Sequence, residues 1–300
     1  MSRNIRLAAF ALPLIAFAFW GAVHTPSNGQ PGGDFYDEDV VFSELPPLPE
    51  WAEQALPDFS VHTESNSKKS AFFSFLYPRV VLANARIAIQ RGYLNSLSQQ
   101  DTLTDSETAW LEAQAKRLRV EAEPASAEMF KRLDRKMDII APSLILAQAA
   151  NESAWGTSRF ARKGNNLFGQ WCFSEGCGLV PKGRNEGASH EVAAFSSPYQ
   201  SIRGYIQNLN SHPAYKPLRD TRATLRAQGK PLSGNALAAG LLSYSERGEE
   251  YVKEIRSMID FNNLGYYDQA YRNRAGSASE LKDLASAEDI ELLKANYGEG

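Results

Sequence analysis

Hydrophobic residues recur every three or four positions along several stretches of the chain, which is the spacing of an α-helix. The first such stretch covers about residues 70–97, and Pro78 inside it is expected to kink or restart the helix. Thr104 and Glu107 form a capping box that opens a second helix. A third is predicted over about 126–139. Together these stretches predict a helical hairpin packed beside the domain that follows.

The most apolar predicted helix begins near Pro142, a residue well suited to a first helical turn because its missing N–H costs nothing there. From position 144 to 150 every residue except Gln148 is apolar. We therefore expect this helix to be buried on nearly all sides. Gly156 is a natural C-terminal cap, so the helix is predicted to end at that residue.

Beyond this helix, Gly and Asn dominate up to Gly187, which indicates loops and short strands. Residues 180–184 and 191–195 flank a turn at 185–187 and predict a β-hairpin. Helices return at Ser197 and are predicted again over 235–244 and 249–260. The pattern predicts an α+β fold, mainly α-helical, with a small β-hairpin lobe.

The first residues are typical of an exported protein. Arg3 and Arg6 precede an apolar stretch over 7–23 that is interrupted only by Pro13. This is the pattern of a secretory signal peptide, although an uncleaved membrane anchor with its N-terminus inside fits as well. Either way, the bulk of the chain leaves the cytoplasm, and membrane contact is expected only through this segment.

Composition shifts divide the chain into five predicted parts. Residues rich in Pro, Gly and acidic side chains predict a disordered linker in which Trp51, Leu56 and Phe59 form a short docking element. The last residues are polar, and one exposed helix is expected there at most. The parts are a signal peptide or anchor (1–24), a disordered linker (25–67), an N-terminal helical region (68–122), a catalytic domain (123–265) and a polar tail (266–300).

Overall composition and charge exclude some classes of protein. The 300 residues are 43% hydrophobic and 22% charged, as in an ordinary soluble domain, and the net charge of −3 does not favour nucleic acid as a partner. Cys172 and Cys177 predict a small disulfide loop in an exported protein. A metal site would need further ligands such as His190 and His212, whose spacing matches no usual zinc pattern. No metal or cofactor is expected, and the sequence leaves the oligomeric state open.

Glu152 is the strongest candidate for chemistry, because it lies near the C-terminal end of the buried helix. Burial and the negative end of the helix dipole both disfavour its charged form, which raises the pKa of the carboxyl group. A raised pKa lets a general acid hold its proton near neutral pH. The alternative is an exposed glutamate at a helix end. Aromatic and amide side chains of the kind that hold sugar rings follow it: Trp155, Asn165, Asn166, Phe168, Trp171 and Phe173.

These residues carry a resemblance to a known family. The runs AQAANESAWG at 147–156 and NNLFG at 165–169 resemble the motif pair of the family 73 glycoside hydrolases, and the similarity extends over about residues 126–264. Those bacterial N-acetylglucosaminidases cut the β-1,4 bond between N-acetylglucosamine and N-acetylmuramic acid in peptidoglycan. The N-terminal helices and the run NLFGQWC resemble the Bax protein subfamily of Gram-negative bacteria. The resemblance implies a lysozyme-like fold, a periplasmic location and Glu152 as the general acid.

The family pattern also includes a second acidic residue about thirty to forty positions after the acid. That window holds Glu186, at the hairpin turn, and Glu191, at the start of the returning strand. We favour Glu186, although a solvated turn residue would look the same, and the acetamido group of the substrate could replace either. Tyr244 resembles a family tyrosine that would position the sugar, and its alternative is a core tyrosine.

Three other functions remain open. A lytic transglycosylase uses a single glutamate on the same kind of helix and releases an anhydro product. An endo-N-acetylglucosaminidase would act on glycoprotein glycans instead of peptidoglycan. A non-catalytic module that binds peptidoglycan could have kept the groove, although retention of Glu152 argues against it.

Overall fold

The structure, a computed structural model, describes residues 45–184 and 187–295 and confirms the α+β, mainly helical class. The predicted signal or anchor over 1–24 lies outside these residues. The helices are α1 (Ser65–Leu97), α2 (Asp105–Arg117), α3 (Ala127–Lys136), α4 (Pro142–Glu152), α5 (Arg159–Gly164), α6 (Pro198–Ser211), α7 (Lys216–Ala227), α8 (Gly234–Ala238), α9 (Glu249–Phe261), α10 (Gly265–Arg274) and α11 (Ala278–Ser286). The strands are β1 (Trp171–Cys172), β2 (Gly178–Leu179) and β3 (Glu191–Ala193).

The central helix is α4, and the rest of the fold is arranged around it. Its residues from Pro142 to Ala150 are all buried, and it contacts α1, α8, α9 and α10. It ends at Glu152, four residues before the predicted end at Gly156. Ala154, Trp155 and Gly156 have φ of +51°, +59° and +76°, so the backbone leaves the helix in left-handed geometry before the glycine is reached.

Helix α1, the longest of the described helices, packs against α4. It continues through Pro78 without restarting, because α4, α6 and α11 pack against it and hold it in place despite the missing proline N–H. Among the described helices, α1 is long and apolar enough to cross a membrane. However, 78% of its most apolar window is buried inside the protein, as in the core helix of a folded domain.

The segment before α1 is folded onto the domain from Leu45 onwards, although we predicted a linker that is disordered apart from the docking of Trp51, Leu56 and Phe59. Trp51 is buried and its indole Nε1 donates to the carbonyl of Ala287 (2.8 Å). Phe59 is buried as well, and its ring centroid lies 5.3 Å from that of Phe72. Burial of these two aromatic side chains contributes to the free energy that holds the chain on the domain from Leu45 onwards.

The predicted polar tail also packs on the core. Helices α10 and α11 contact each other and α1, and they bury Tyr267, Tyr271 and Leu284. Only a few apolar residues carry this packing, and they are spaced among polar ones. For that reason the composition of the tail suggested one exposed helix at most.

The β lobe is a three-stranded antiparallel sheet in the order β1-β3-β2. β2 and β3 pair as a hairpin in the register Gly178 to Ala193 and Leu179 to Val192, and β3 lies within the strand predicted over 191–195. The other strand was predicted over 180–184, but it lies just before that range, at Gly178–Leu179. β1 pairs with the other edge of β3 and was not predicted. Strands of two or three residues are too short to show the alternation by which a strand is recognised.

The N-terminus of α4 is capped by Asp268, a residue of α10 that lies 125 positions away from Ser143 in the sequence. The residue in the N-cap position of α4 is Ala141, which has no capping side chain. Instead, Oδ1 of Asp268 accepts from the backbone N–H of Ser143 (2.8 Å), and Oδ2 accepts from the Ser143 hydroxyl (2.6 Å) and from the N–H of Gly234 (3.1 Å). One buried carboxylate therefore joins α4, α8 and α10.

We predict that Asp268→Ala lowers the free energy of unfolding by about 1–3 kcal/mol, because it removes the acceptor of the buried N–H and hydroxyl groups of Ser143. Asp283→Ala is the matched control, since Asp283 is exposed on α11, and it should change this free energy by less than about 0.5 kcal/mol. Urea denaturation of the two variants measures both values. Equal losses would show that Asp268 does not hold the helices together.

Candidate active site

Glu152 is the last residue of α4, and its carboxyl group is largely enclosed by the protein. Burial raises the pKa of this carboxyl above its ordinary value, which is the direction expected from the sequence. Hydrogen bonds from Tyr251 and Asn151 oppose this rise. Of the two neighbouring charges, Glu254 raises the pKa of Glu152 and Arg247 lowers it. The balance favours a carboxyl group that keeps its proton at higher pH than a solvent-exposed glutamate.

Three polar side chains connect to Glu152 through the core. The hydroxyl of Tyr251 on α9 donates to Oε1 of Glu152 (2.7 Å). Nε2 of Gln148, four residues before Glu152 on α4, donates to the Tyr251 hydroxyl (2.8 Å). The buried Tyr205 on α6 donates from its hydroxyl to Oε1 of Gln148. Helices α4, α6 and α9 thus supply one continuous hydrogen-bonded chain.

Tyr251 and Gln148 were not among the predicted site residues. In the sequence, Tyr251 is one of several apolar positions of the helix predicted over 249–260, and nothing in that pattern sets it apart. The signal that could have found the chain is Gln148, the one polar residue in the apolar run of α4. Positions i and i+4 share a helix face, so Gln148 and Glu152 had to point to the same side.

Aromatic rings form a layer beside this chain. Phe168 stacks on Tyr205 with ring centroids 4.0 Å apart, and Tyr244 stacks on Tyr251 at 5.4 Å. The hydroxyl of Tyr244 donates to the backbone carbonyl of Phe168 (2.9 Å) and not to Glu152. Phe168 itself is buried. Tyr244 and Phe168 therefore support the tyrosine that touches the acid.

The two predicted amide side chains bind backbone groups of the loop after α5. Asn165 has φ of +50° at the C-cap of α5, and its Nδ2 donates to the carbonyl of Phe195 (3.0 Å). Asn166 is buried, and its Nδ2 donates to the carbonyls of Gln170 and Ala193 (2.8 Å each). These bonds fix the loop between α5 and the β lobe.

Trp155 lies in the turn after Glu152 and contacts the N-terminal helix. Its ring centroid is 5.7 Å from that of Phe72 and 5.4 Å from that of Phe73, both in edge-to-face geometry. The ammonium group of Lys69 lies 5.4 Å from the same ring. These contacts attach the turn after α4 to α1.

Trp171 opens the β lobe on strand β1. Its half-buried indole stacks on the imidazole of His190, with centroids 4.3 Å apart and an interplanar angle of 7°. Next to it, Cys172 and Cys177 form the predicted disulfide, with their Cα atoms 6.1 Å apart. The disulfide closes the short loop between β1 and β2.

Glu191 on β3 is buried and holds this disulfide loop. Its Oε1 accepts from the N–H of Gly176 (3.1 Å), and its Oε2 accepts from the N–H of Gly178 (2.8 Å). Both carboxylate oxygens are thus engaged by backbone amides. Glu186, the favoured second carboxylate, lies outside the described residues.

The same corner brings possible metal ligands together. Sulfur and oxygen atoms of Cys172, Cys177 and Glu191 lie within 4.8 Å of one another. The disulfide joins the two sulfur atoms, and the thiolates that a metal ion would need are not available. This cluster therefore stabilises the loop and does not fit a metal ion.

Comparison with known proteins places the sequence among related proteins. A family model described as glucosaminidase, mannosyl-glycoprotein endo-beta-N-acetylglucosaminidase, matches residues 127–264. The chain is 34% identical over 209 residues to Protein bax from Escherichia coli strain K12, and the match covers 69% of this chain and 74% of that protein. No solved structure matches the chain.

We predict that Tyr251→Phe raises the pKa of Glu152 by about one unit, because the lost hydrogen bond stabilises the charged carboxylate. Tyr244→Phe is the matched control and should shift this pKa less, since its hydroxyl binds the carbonyl of Phe168. Carbon-13 NMR titration of the glutamate carboxyl groups measures both shifts, and the Glu152 signal is the one absent in Glu152→Gln. A larger shift in Tyr244→Phe would reverse the roles of the two tyrosines.

Proposed function

The chain belongs to the glucosaminidase family of glycoside hydrolases, and we propose that it cleaves the β-1,4 bond between N-acetylglucosamine and N-acetylmuramic acid in peptidoglycan. Glu152 is the general acid of this reaction. The observation that carries the proposal is the half-buried Glu152 at the end of α4, whose carboxyl group accepts a hydrogen bond from Tyr251 and has a raised pKa. A carboxyl group with a raised pKa is suited to protonate a leaving glycosidic oxygen.

The acid acts when the bond to the sugar anomeric carbon breaks. The proton of Glu152 passes to the glycosidic oxygen as the leaving sugar departs, and positive charge develops on the sugar ring that stays behind. After the transfer Glu152 is ionised, and the Tyr251 hydroxyl at 2.7 Å stabilises the new negative charge. The hydrogen bond thus favours the product side of the proton transfer.

The groove for the sugar rings is proposed between the end of α4 and the β lobe. Trp171 is the candidate platform for a sugar ring, because its half-buried indole is held flat by His190 behind it. Asn165 and Asn166 fix the loop that connects the two sides. Phe168 and Trp155 shape this region through packing.

We assign the second catalytic role to Glu186. In the sequence it falls between the residues of β2 and those of β3, thirty-four positions after Glu152. Glu191 is the weaker candidate, since each of its carboxylate oxygens already accepts a backbone N–H. Glu186 would act as a nucleophile or activate a water molecule, according to its distance from Glu152 in the substrate complex.

The proposed location is the periplasm of a Gram-negative bacterium. The positively charged and apolar N-terminal residues support export. The disulfide between Cys172 and Cys177 supports an oxidising compartment, because such bonds are rare in the cytoplasm. Peptidoglycan strands are the substrate available there.

The proposal predicts that the chain lacking residues 1–24 digests purified peptidoglycan, and that Glu152→Gln lowers the rate at least about a thousandfold because the proton donor is lost. Glu246→Gln is the control, since Glu246 is exposed next to α9 and is expected to leave the rate unchanged. Mass spectrometry after borohydride reduction identifies the new ends. Reduced N-acetylglucosamine ends confirm the assigned bond.

Other products of that digestion would contradict the proposal in distinct ways. Anhydro-muramic ends would identify a lytic transglycosylase built on the same scaffold. Cleavage of glycoprotein glycans alone would identify the activity in the family description. Binding without cleavage by either form would identify a peptidoglycan-binding module.

For the second carboxylate, we expect Glu186→Gln to lower turnover about a hundredfold or more with an unchanged melting temperature. Glu191→Gln should mainly lower the melting temperature, because an amide cannot accept both N–H bonds in the same way. Rate assays and thermal denaturation of the two variants separate these effects. Full turnover in Glu186→Gln would favour the acetamido group of the substrate as the nucleophile.

A further inference from the structure

The hydrogen bonds from Tyr205 through Gln148 and Tyr251 to Glu152 all donate in the same direction, towards Glu152. A tyrosine hydroxyl carries one hydrogen, so it can donate to only one partner, whereas the amide of glutamine offers a carbonyl at one end and an NH₂ group at the other. In this structure Oε1 of Gln148 accepts from Tyr205, and Nε2 of Gln148 donates to Tyr251. The single hydrogen of Tyr251 is then directed at Oε1 of Glu152.

The opposite orientation of the amide fits the chemistry less well. With the Gln148 carbonyl turned towards Tyr251, the tyrosine hydrogen would point to Gln148 and its oxygen lone pair would face Glu152. An ionised Glu152 would then meet a second electron-rich oxygen at 2.7 Å. The observed orientation is compatible with both the neutral and the ionised carboxyl, and a general acid must pass through both states.

We propose that Gln148 is a positioning residue that fixes the Tyr251 hydroxyl as a donor, so that Oε1 of Glu152 is always an acceptor and the catalytic proton is held on Oε2. The inference rests on the proposed general-acid role of Glu152. Two hydrogen bonds agree with it, since those from Tyr251 (2.7 Å) and Asn151 (3.3 Å) both end on Oε1 of Glu152. Gln148 acts through Tyr251 and does not touch the acid itself.

Because the side chains are buried, the Gln148 amide can determine the orientation of the Tyr251 hydroxyl. Gln148 and Tyr205 are both fully buried, and Tyr251 is buried to within a few per cent, so bulk water cannot replace a missing donor in the chain at no cost. Tyr251 is also held between its two partners by stacking on Tyr244. The amide orientation is therefore transmitted to the carboxyl group through a chain of fixed groups.

Loss of the Gln148 amide should raise the pKa of Glu152. Without the amide donor, the Tyr251 hydroxyl can turn and accept a hydrogen bond from a protonated Oε1. The neutral acid gains a partner, which raises the pKa of Glu152. The proton is then shared with Oε1, the oxygen on the Tyr251 side, and turnover falls. Because the acid works in its protonated form, the basic limb of the rate profile moves to higher pH.

Substitution of Gln148 leaves the other charged groups near Glu152 in place. The titratable groups that face it are Tyr205, Tyr215, Tyr244, Arg247, Tyr251 and Glu254. Arg247 and Glu254 form an ion pair (2.6 Å) that contacts neither Gln148 nor Tyr205. A shift in the pKa of Glu152 on substitution of Gln148 would therefore not arise from this pair.

The experiment compares Gln148→Met, a substitution of similar length without hydrogen-bonding groups, with the unchanged chain. We expect the pKa of Glu152 to rise by about half to one unit and kcat to fall about tenfold or more, with KM within about twofold. Carbon-13 NMR titration gives the pKa without substrate. The pH dependence of peptidoglycan cleavage gives the basic limb.

A matched pair of tyrosine variants keeps the test independent of the folding of Gln148→Met. Tyr205→Phe removes the donor to the Gln148 carbonyl, frees the amide to turn, and should raise the pKa of Glu152 in the same direction by a smaller amount. Tyr215→Phe also removes a buried hydroxyl near the site. That hydroxyl interacts with Asn208, which is not part of the hydrogen-bonded series Tyr205, Gln148, Tyr251 and Glu152. It should leave the pKa of Glu152 unchanged.

An unchanged pKa in Gln148→Met, whatever its rate, would overturn the proposal and leave Gln148 with a packing role. Equal shifts in Tyr205→Phe and Tyr215→Phe would overturn it as well. Failure of the proposed function is seen separately, as full activity of Glu152→Gln. The titration needs no substrate, so the two outcomes cannot be confused.

Discussion

The hydrogen bond between Tyr251 and Glu152 is the interaction on which this structure depends. It joins the last residue of the central helix to the helix that closes the domain, across a contact that excludes most water. Burial raises the pKa of the carboxyl, and the tyrosine limits that rise by stabilising the ion. An acid that must give up its proton and take it back needs both effects, since burial alone would make the ionised state too costly.

The rest of the fold holds the two ends of that bond in place. Asp268 caps the start of α4, and the turn after Glu152 is attached to α1 through Trp155 and Phe72. At Gly156 a Cβ atom would come within 2.6 Å of the Phe59 ring, so the segment before α1 packs directly on this turn. Regions outside the matched segment, residues 127–264, thus position α4 at both of its ends.

The sequence predicted the parts of the site that depend on local pattern. Pro142 and the apolar run after it indicated the buried helix, and the position of Glu152 at its end indicated the direction of the pKa shift. Contacts between distant elements were not predictable in this way. Tyr251 lies 99 positions from Glu152, and only the packing of α9 on α4 brings its hydroxyl to the acid. The folded tail and the segment before α1 were missed for a related reason, because few apolar residues in polar surroundings carry their packing.

The most direct test of this account is the pKa of Glu152 in the unchanged, substrate-free protein. Infrared difference spectra between this protein and Glu152→Gln, recorded over a range of pH, follow the protonated carboxyl band of that one residue. The account predicts a midpoint above 4.5, the ordinary value for a glutamate, with the band shifted by the hydrogen bond from Tyr251. A midpoint at or below that value would contradict the account, because Glu152 would then be ionised where a general acid must hold its proton.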